Sequence, residues 1–122
     1  MNWKIQKVIE FFAANLHRQI HMAEISNVVG LSPSRLHDLF KAELGMPPMQ
    51  YLKTLRMEKA CVLLQDPAMK IKQVQLAIGY QDQRYFLRDF KKQFGLTPSQ
   101  YRARQVAALL TAGEQTERNQ EN

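Results

Sequence analysis

The sequence predicts an all-α protein in which two helix-turn-helix subdomains are joined by a long linker helix, with about seven helices altogether. Three observations predict this fold. Apolar residues recur with the period of an α-helix, glycine and proline separate the periodic segments, and one pattern occurs twice. We expect an N-terminal helix with the first helix-turn-helix (residues 1–46), a linker helix (47–66), a second helix-turn-helix with a C-terminal helix (67–110) and a disordered tail (111–122).

The first helices are predicted from apolar spacing and from capping residues. An amphipathic helix over residues 3–15 precedes a short helix over residues 22–29, and Gly30 begins the turn that follows. Ser32 is a good N-cap with a proline directly after it, so the next helix is expected over residues 33–44. These elements predict the first helix-turn-helix.

A longer helix is predicted to follow. Pro47 and Pro48 stop the preceding helix and suit the start of a new one, whereas Asp66 and Pro67 end it. At 1.5 Å per residue its ~17 residues span about 26 Å. Six residues form its apolar stripe: Met49, Leu52, Met57, Ala60, Leu63 and Leu64.

The segment over residues 79–102 carries the densest pattern in the chain. Three phenylalanines recur every four residues and so line one side of a helix: Phe86, Phe90 and Phe94. Three basic residues line a different side: Arg84, Arg88 and Lys91. Asp82 is placed to cap this helix and Gly95 to end it in a left-handed conformation. Thr97 and Pro98 then predict the start of another helix.

The same pattern lies about 50 residues upstream, which predicts two copies of one structural unit. Leu36, Phe40 and Leu44 stand where the three phenylalanines stand. Before this helix the distance along the sequence between matching positions is one residue shorter, since Gly30 matches Gly79. The second turn is therefore expected to contain one extra residue. A helix, a glycine turn and a second helix form the helix-turn-helix outline.

Three segments of this repeat resemble a known family. Residues 79–102 match G-Y-x-D-x-x-Y-F-x-R-x-F-K-K-x-x-G-x-T-P-x-x-Y-R, residues 32–45 match S-P-S-R-L-x-x-L-F-K-x-x-x-G, and residues 51–64 match Y-L-x-x-x-R-M-x-x-A-x-x-L-L. On these motifs, residues 22–102 resemble the two-motif DNA-binding region of the AraC/XylS family of bacterial transcription regulators. The region covers about two thirds of the chain, and so many ordered matches are unusual by chance.

The resemblance implies a sequence-specific DNA-binding transcription regulator, usually an activator that contacts RNA polymerase. The second helix of each motif, the recognition helix, is expected to enter a major groove of double-stranded DNA, and successive grooves on one face repeat every ~34 Å. The site is expected to be non-palindromic and open to a monomer, or to a dimer formed through a missing domain. The chain has no room for an effector-binding domain, so we expect a stand-alone regulator or part of a larger one.

The resemblance and the helical spacing together assign roles to exposed positions of the two recognition helices. Six residues are expected to contact base edges: Ser34, Arg35, His37, Gln83, Arg84 and Arg88. Four are expected to contact phosphates: Lys41, Lys91, Lys92 and Arg102. Arg88 suits either role, and for any single position the alternative is an exposed residue that contacts nothing.

The first motif departs from the second at one position that bears on binding. Asp38 stands where the second motif has Arg88, and a carboxylate cannot contact phosphate, although it can accept a hydrogen bond from cytosine. It can equally pair with Arg35 or Lys41 on the same helix face. We therefore predict that the second motif supplies most of the affinity. In the second motif, Gln75 stands where the family usually has alanine, which changes the closest contact between its helices.

Composition and charge restrict the remaining function classes. The 122 residues carry a formal net charge of +6 with a pI near 9.7, which favours a polyanionic partner. An acidic protein bound by a helical interaction module is the alternative to DNA. Cys61 is the only cysteine, so no intrachain disulfide can form, which fits the cytoplasm and its nucleoid. No signal peptide or membrane span is predicted.

The chain shows no pattern of an enzyme, a cofactor site or a metal site. It contains no G-x-S-x-G or Walker motif, and Cys61 has no histidine within helical reach. A methyl-accepting role for this cysteine is the enzymatic alternative, but a mid-helix position favours packing. His17 and His21 have a spacing that suits a metal in a helix, but Glu24 is the one nearby candidate for a third ligand and the helix is expected to end there, so we predict no metal.

Overall fold

The computed structural model describes the backbone of residues 1–121 and the side chains of residues 1–113. Seven helices occupy the described backbone: α1 (Trp3–Ala14), α2 (Met22–Val29), α3 (Pro33–Leu44), α4 (Pro48–Leu63), α5 (Ile71–Ala77), α6 (Gln83–Phe94) and α7 (Pro98–Glu121). No strand occurs in this part of the chain, and the predicted all-α fold is confirmed.

The recognition helices α3 and α6 begin and end where the capping residues place them. The Ser32 hydroxyl accepts a hydrogen bond from the Arg35 backbone N–H at 3.2 Å, and the Asp82 carboxylate accepts one from the Arg84 backbone N–H at 2.8 Å. Each helix has 12 residues and ends at a glycine with a left-handed backbone, at φ 79° for Gly95. The repeat in the sequence is therefore also a repeat in the structure.

The two turns differ by the one residue that the sequence predicts. The first turn passes from Gly30 to its N-cap through a single residue, whereas the second contains both Tyr80 and Gln81. The longer turn is supported by Gln75, which is buried and donates from Nε2 to the Tyr80 carbonyl oxygen at 3.0 Å. Gln75 therefore adds a hydrogen bond to the turn, while its Oε1 atom is buried without a hydrogen-bond partner among the described residues.

Apolar side chains form two separate cores, one for each motif. The first joins α1, α2, α3 and the start of α4: Ile5, Val8, Phe12, Ile20, Ile25, Val29, Leu36, Phe40 and Leu52. The second joins the end of α4 with α5 and α6: Met57, Ala60, Leu64, Val74, Ile78, Phe86 and Phe90. Helix α4 thus contributes to both cores and connects the two motifs. The division into residue ranges at 46, 66 and 110 stays a prediction.

The structure differs from the sequence prediction at the C-terminal end. Helical backbone continues in α7 to Glu121, although a disordered tail is predicted from residue 111. This segment has no proline, and its alanine, glutamate, glutamine and arginine residues are favourable in helices. Residue 122 lies outside the described residues.

Candidate nucleic-acid interface

Helices α3 and α6 bury their apolar side and expose the opposite side. All six predicted base-contacting residues are exposed, three on each helix: Ser34, Arg35, His37, Gln83, Arg84 and Arg88. The inward sides carry Leu36 and Phe40 on α3 and Phe86 and Phe90 on α6, all fully buried. Burial of these side chains fixes which face of each recognition helix remains available to a partner.

Arg84 is held at the start of α6 by the residue that caps the helix. Its Nε and one terminal nitrogen donate to the two oxygens of Asp82 at 3.2 and 2.8 Å. The guanidinium hydrogen bond is the main reason that the pKa of Asp82 is lowered, with the Arg84 backbone N–H adding to it. Since the Arg84 side chain is 85% exposed, its remaining donors point into solvent.

Arg88 is held one helical turn later by an aromatic ring and a buried acid. Its guanidinium lies over the Tyr85 ring, 4.9 Å from the ring centre, and its Nε donates to Asp89 Oδ1 at 3.2 Å. The Arg88 side chain is 63% exposed, whereas Asp89 is only 8% exposed. Arg88 therefore faces outward from the helix, while its Nε is held by a buried carboxylate.

Asp89 is also the centre of a polar cluster under α6. The Tyr80 hydroxyl donates to its Oδ2 at 2.7 Å, and Lys53 Nζ from α4 lies 3.7 Å from the same oxygen. Burial alone would raise the pKa of Asp89, but the Tyr80 hydrogen bond and the charges of Lys53 and Arg88 together lower it. Burial and the same hydrogen bond raise the pKa of Tyr80. The cluster ties the second turn and the linker helix to the recognition helix.

Sequence reasoning missed this cluster, although one signal was available. Asp89 is the one acid among the basic residues of α6, and it lies between Phe86 and Phe90 on the apolar side of the helix. An acid at an inward position needs partners, because an unpaired buried charge is costly. That argument predicts a buried ion cluster but does not name Tyr80 or Lys53.

The exposed face of α3 is less constrained than that of α6. Asp38 is 81% exposed and contacts His37 Nδ1 at 3.4 Å. It does not pair with Arg35 or Lys41 as the same-face argument predicts, so that interpretation is wrong. No other ion pair is formed by the α3 side chains within the described residues.

Three of the four predicted phosphate contacts fit the surface, and one does not. Lys41, Lys91 and Lys92 are exposed near the ends of α3 and α6. Arg102 instead turns back from α7 and donates to three backbone carbonyl oxygens, of Leu64 at 2.9 Å, Asp66 at 3.2 Å and Met69 at 2.6 Å. The phosphate role predicted for Arg102 does not fit this geometry. Its guanidinium satisfies the carbonyl groups that follow α4.

The structure also locates the residues that bear on metal and membrane binding. His17 lies in the segment after α1 and His21 caps α2, so the two histidines do not share a helix face. Residues 1–113 contain no group of three or more side chains arranged to hold a metal ion. None of the described helices is both long and apolar enough to cross a membrane.

Two exposed recognition helices on one connecting helix define a double helix-turn-helix DNA-binding protein. A family model described as a helix-turn-helix domain matches residues 25–104. A solved structure of a transcriptional regulator from Chromobacterium violaceum with an AraC-type DNA-binding domain is 32% identical, covers 82% of this chain and 89% of its own, and superposes with a TM-score of 0.77. The chain belongs to the AraC/XylS family of transcription regulators, and its helices form that family's DNA-binding domain.

Two further relatives are larger proteins, and this chain is similar to one part of each. The C-terminal domain of the two-component response regulator yesN from Fusobacterium nucleatum is 30% identical, with a TM-score of 0.77, over 83% of this chain and 99% of that domain. The lactose operon transcription activator of Staphylococcus xylosus is 32% identical over 102 residues, which are 84% of this chain and 37% of the activator. The chain therefore spans little more than a third of the curated relative that it matches.

Proposed function

We propose that the chain regulates transcription by inserting α3 and α6 into successive major grooves of a non-palindromic DNA site. One observation carries this proposal: α4 belongs to both apolar cores, so a single helix holds two recognition helices whose exposed faces are polar, and the exposed face of α6 is also basic. A helix of 16 residues spans about 24 Å, and the widths of the two motifs bring this close to the ~34 Å groove repeat.

Each exposed residue has a role in this proposal that follows from its chemistry. Arg84 and Arg88 present guanidinium donors that suit the two acceptors of guanine, and Gln83 has the amide that suits adenine. Ser34, Arg35 and His37 contact base edges from α3. Lys41, Lys91 and Lys92 neutralise phosphates and add affinity without sequence preference.

Selection of bound duplexes from a random-sequence pool tests the proposal. We expect an asymmetric sequence with two conserved segments about one helical turn apart, retained against an excess of random duplex. Arg84→Ala should then relax the base preference at one position of the site. Lys91→Ala should instead lower the affinity for all sequences alike and reduce the salt dependence of binding by about one counterion.

The same experiment separates DNA from an acidic protein as the partner. A module that binds acidic proteins through its basic face would bind duplexes weakly, lose them at moderate salt and enrich no sequence. A pool in which no sequence is enriched after selection would therefore overturn the DNA assignment and favour an acidic protein as the partner.

The name of one relative supports a proposal for the wider role of the protein. The Staphylococcus xylosus relative is named a transcription activator. We propose that this chain also activates transcription, by contact with RNA polymerase beside its site, and that it acts at the bacterial nucleoid in the cytoplasm. A reporter gene behind the selected site, with and without the chain, gives the sign of regulation.

A further inference from the structure

Arg56 on α4 reaches both halves of the molecule. One terminal nitrogen donates to the carbonyl oxygen of Arg18, in the segment after α1, at 2.8 Å. The other donates to the carbonyl oxygen of Ile78, at the end of α5, at 3.2 Å. Its partners lie 38 and 22 residues away along the chain, one in each motif. A single guanidinium therefore joins the backbones of the two subdomains.

Gly79 brings the same two backbones into direct contact. It has φ +85°, and a Cβ atom added there would collide with the Leu16 carbonyl oxygen and lie 2.5 Å from a terminal nitrogen of Arg56. Gly30 occupies the matching position of the first turn at φ +68°, and a Cβ there meets nothing within 4 Å. Backbone conformation thus explains a glycine in both turns, but only the second glycine also permits contact with the other subdomain.

Contact between the subdomains is otherwise limited near this point. The apolar cores are separate, and an open cleft lies beside Arg56, lined by Ile20 and Leu52 on one side and Tyr80 and Tyr85 on the other. Arg56 itself is poorly compensated, because its Nε is buried without a hydrogen-bond partner among the described residues. A half-buried charge of this kind adds little to stability but can select one arrangement of the groups around it.

We propose that Arg56 and Gly79 position the second motif against the first and so set the distance between half-sites that the protein accepts. This inference rests on the proposed function, since it concerns how two recognition helices engage one duplex. One added base pair moves a half-site by about 3.4 Å and rotates it by about 35° around the duplex. A rigid pair of motifs loses simultaneous engagement after such a change, whereas a loosely joined pair adapts to it.

Binding to a series of duplexes tests this inference. The selected site is compared with versions that have one base pair added or removed between the half-sites, and with duplexes that keep one half-site. We expect the unmodified chain to prefer the selected spacing by about tenfold or more, and Arg56→Met to reduce that preference to about twofold while half-site binding is unchanged. Gly79→Ala should act in the same direction, and the matched control Gly30→Ala should keep the full preference.

A measurement without DNA guards against misfolding and against failure of the proposed function. Spin labels at Ala42→Cys on α3 and Gln93→Cys on α6, in a Cys61→Ser background, report the distance between the recognition helices. We expect a narrow distribution that broadens in Arg56→Met, while Arg56→Lys, which retains one hydrogen bond, lies between them. An unchanged distribution, or an Arg56→Met variant with full spacing preference, would overturn the inference. If the distance distribution broadens in Arg56→Met but no DNA sequence is selected from the pool, the positioning role of Arg56 is supported and the proposed function is rejected.

Discussion

The two recognition helices have the same length but differ in how their charged residues are held. On α6, Arg84 is bound by Asp82, and Arg88 is bound by Asp89 and Tyr85. On α3, the ion pairing is a single contact of 3.4 Å between two exposed side chains. Side chains that are already ordered lose less conformational entropy on binding. Helix α6 is therefore suited to fixed contacts, and α3 to adjustable ones.

The largest expected difference concerns the loss of one base-contacting residue from each helix. Arg88→Ala removes a guanidinium that is held in place before binding, and should weaken binding to the selected site by about 1–3 kcal/mol, or about 5–150-fold. His37→Ala removes a side chain without such support and should cost less than about threefold. Titration of both variants against the same duplex measures this. A greater loss from His37→Ala would reverse the comparison.

The next effect concerns Arg102, whose role lies in the fold. Arg102→Ala removes three hydrogen bonds to carbonyl oxygens near the end of α4, of which only the Asp66 oxygen keeps a second donor among the described residues, and should lower the free energy of unfolding by about 2 kcal/mol. The exposed Arg104 is the matched control, and its loss should be nearly neutral. Chemical denaturation measures both. A reduced salt dependence of DNA binding in Arg102→Ala, with stability intact, would restore the phosphate role.

A smaller effect is expected when α3 is made to resemble α6. Asp38→Arg places a cation where the second motif has Arg88, and should tighten binding at low salt by about 3–10-fold with a steeper salt dependence. Asp38→Asn, which only removes the negative charge, should give part of this gain. Weaker binding of Asp38→Arg, confined to sites with cytosine at one position, would instead show that Asp38 contacts a base.

The smallest effect is a pH dependence that arises from Asp89 in α6, whose matching position in α3 is occupied by Leu39. The pKa of Asp89 is lowered in the folded protein, so its contribution to stability is present above the unfolded-state value of about 4 and is lost as pH falls through the folded-state value. The difference in unfolding free energy between the unmodified chain and Asp89→Asn should therefore be constant near neutral pH and shrink in acid.

A second variant sharpens the pH test. Tyr80→Phe removes a hydrogen bond that lowers the pKa of Asp89, so the stability that Asp89 contributes should be smaller and its loss in acid should be complete at a higher pH. Denaturant titrations at a series of pH values measure both variants. Curves that stay parallel into strong acid would contradict the role of Asp89 as a paired carboxylate.

The helices were predictable from sequence because their signals are local. The Ser32 and Asp82 caps act within three residues of the helix start, and the glycines that end α3 and α6 act within one turn. The exposed faces follow from the same periodicity. The helical backbone over residues 111–121 differs from the prediction, because the disordered tail is predicted from the polarity of the segment and not from its helix propensity.

The errors at the interface concern contacts between residues far apart in sequence. Arg102 carries the spacing and charge of a phosphate contact, but its acceptors lie 33 to 38 residues away. The partners of Asp89 come from the second turn and from α4, and Arg56 joins backbones from both motifs. Such contacts depend on how the helices pack, which periodicity along one helix does not specify.

The shared position of α4 has a consequence for inheritance as well as for binding. Because Leu52 completes one core and Met57 completes the other, a division of α4 between these residues would leave each half its own apolar residues but would create a new helix end in the middle of the molecule. Inheritance of both halves as one continuous segment avoids that new end.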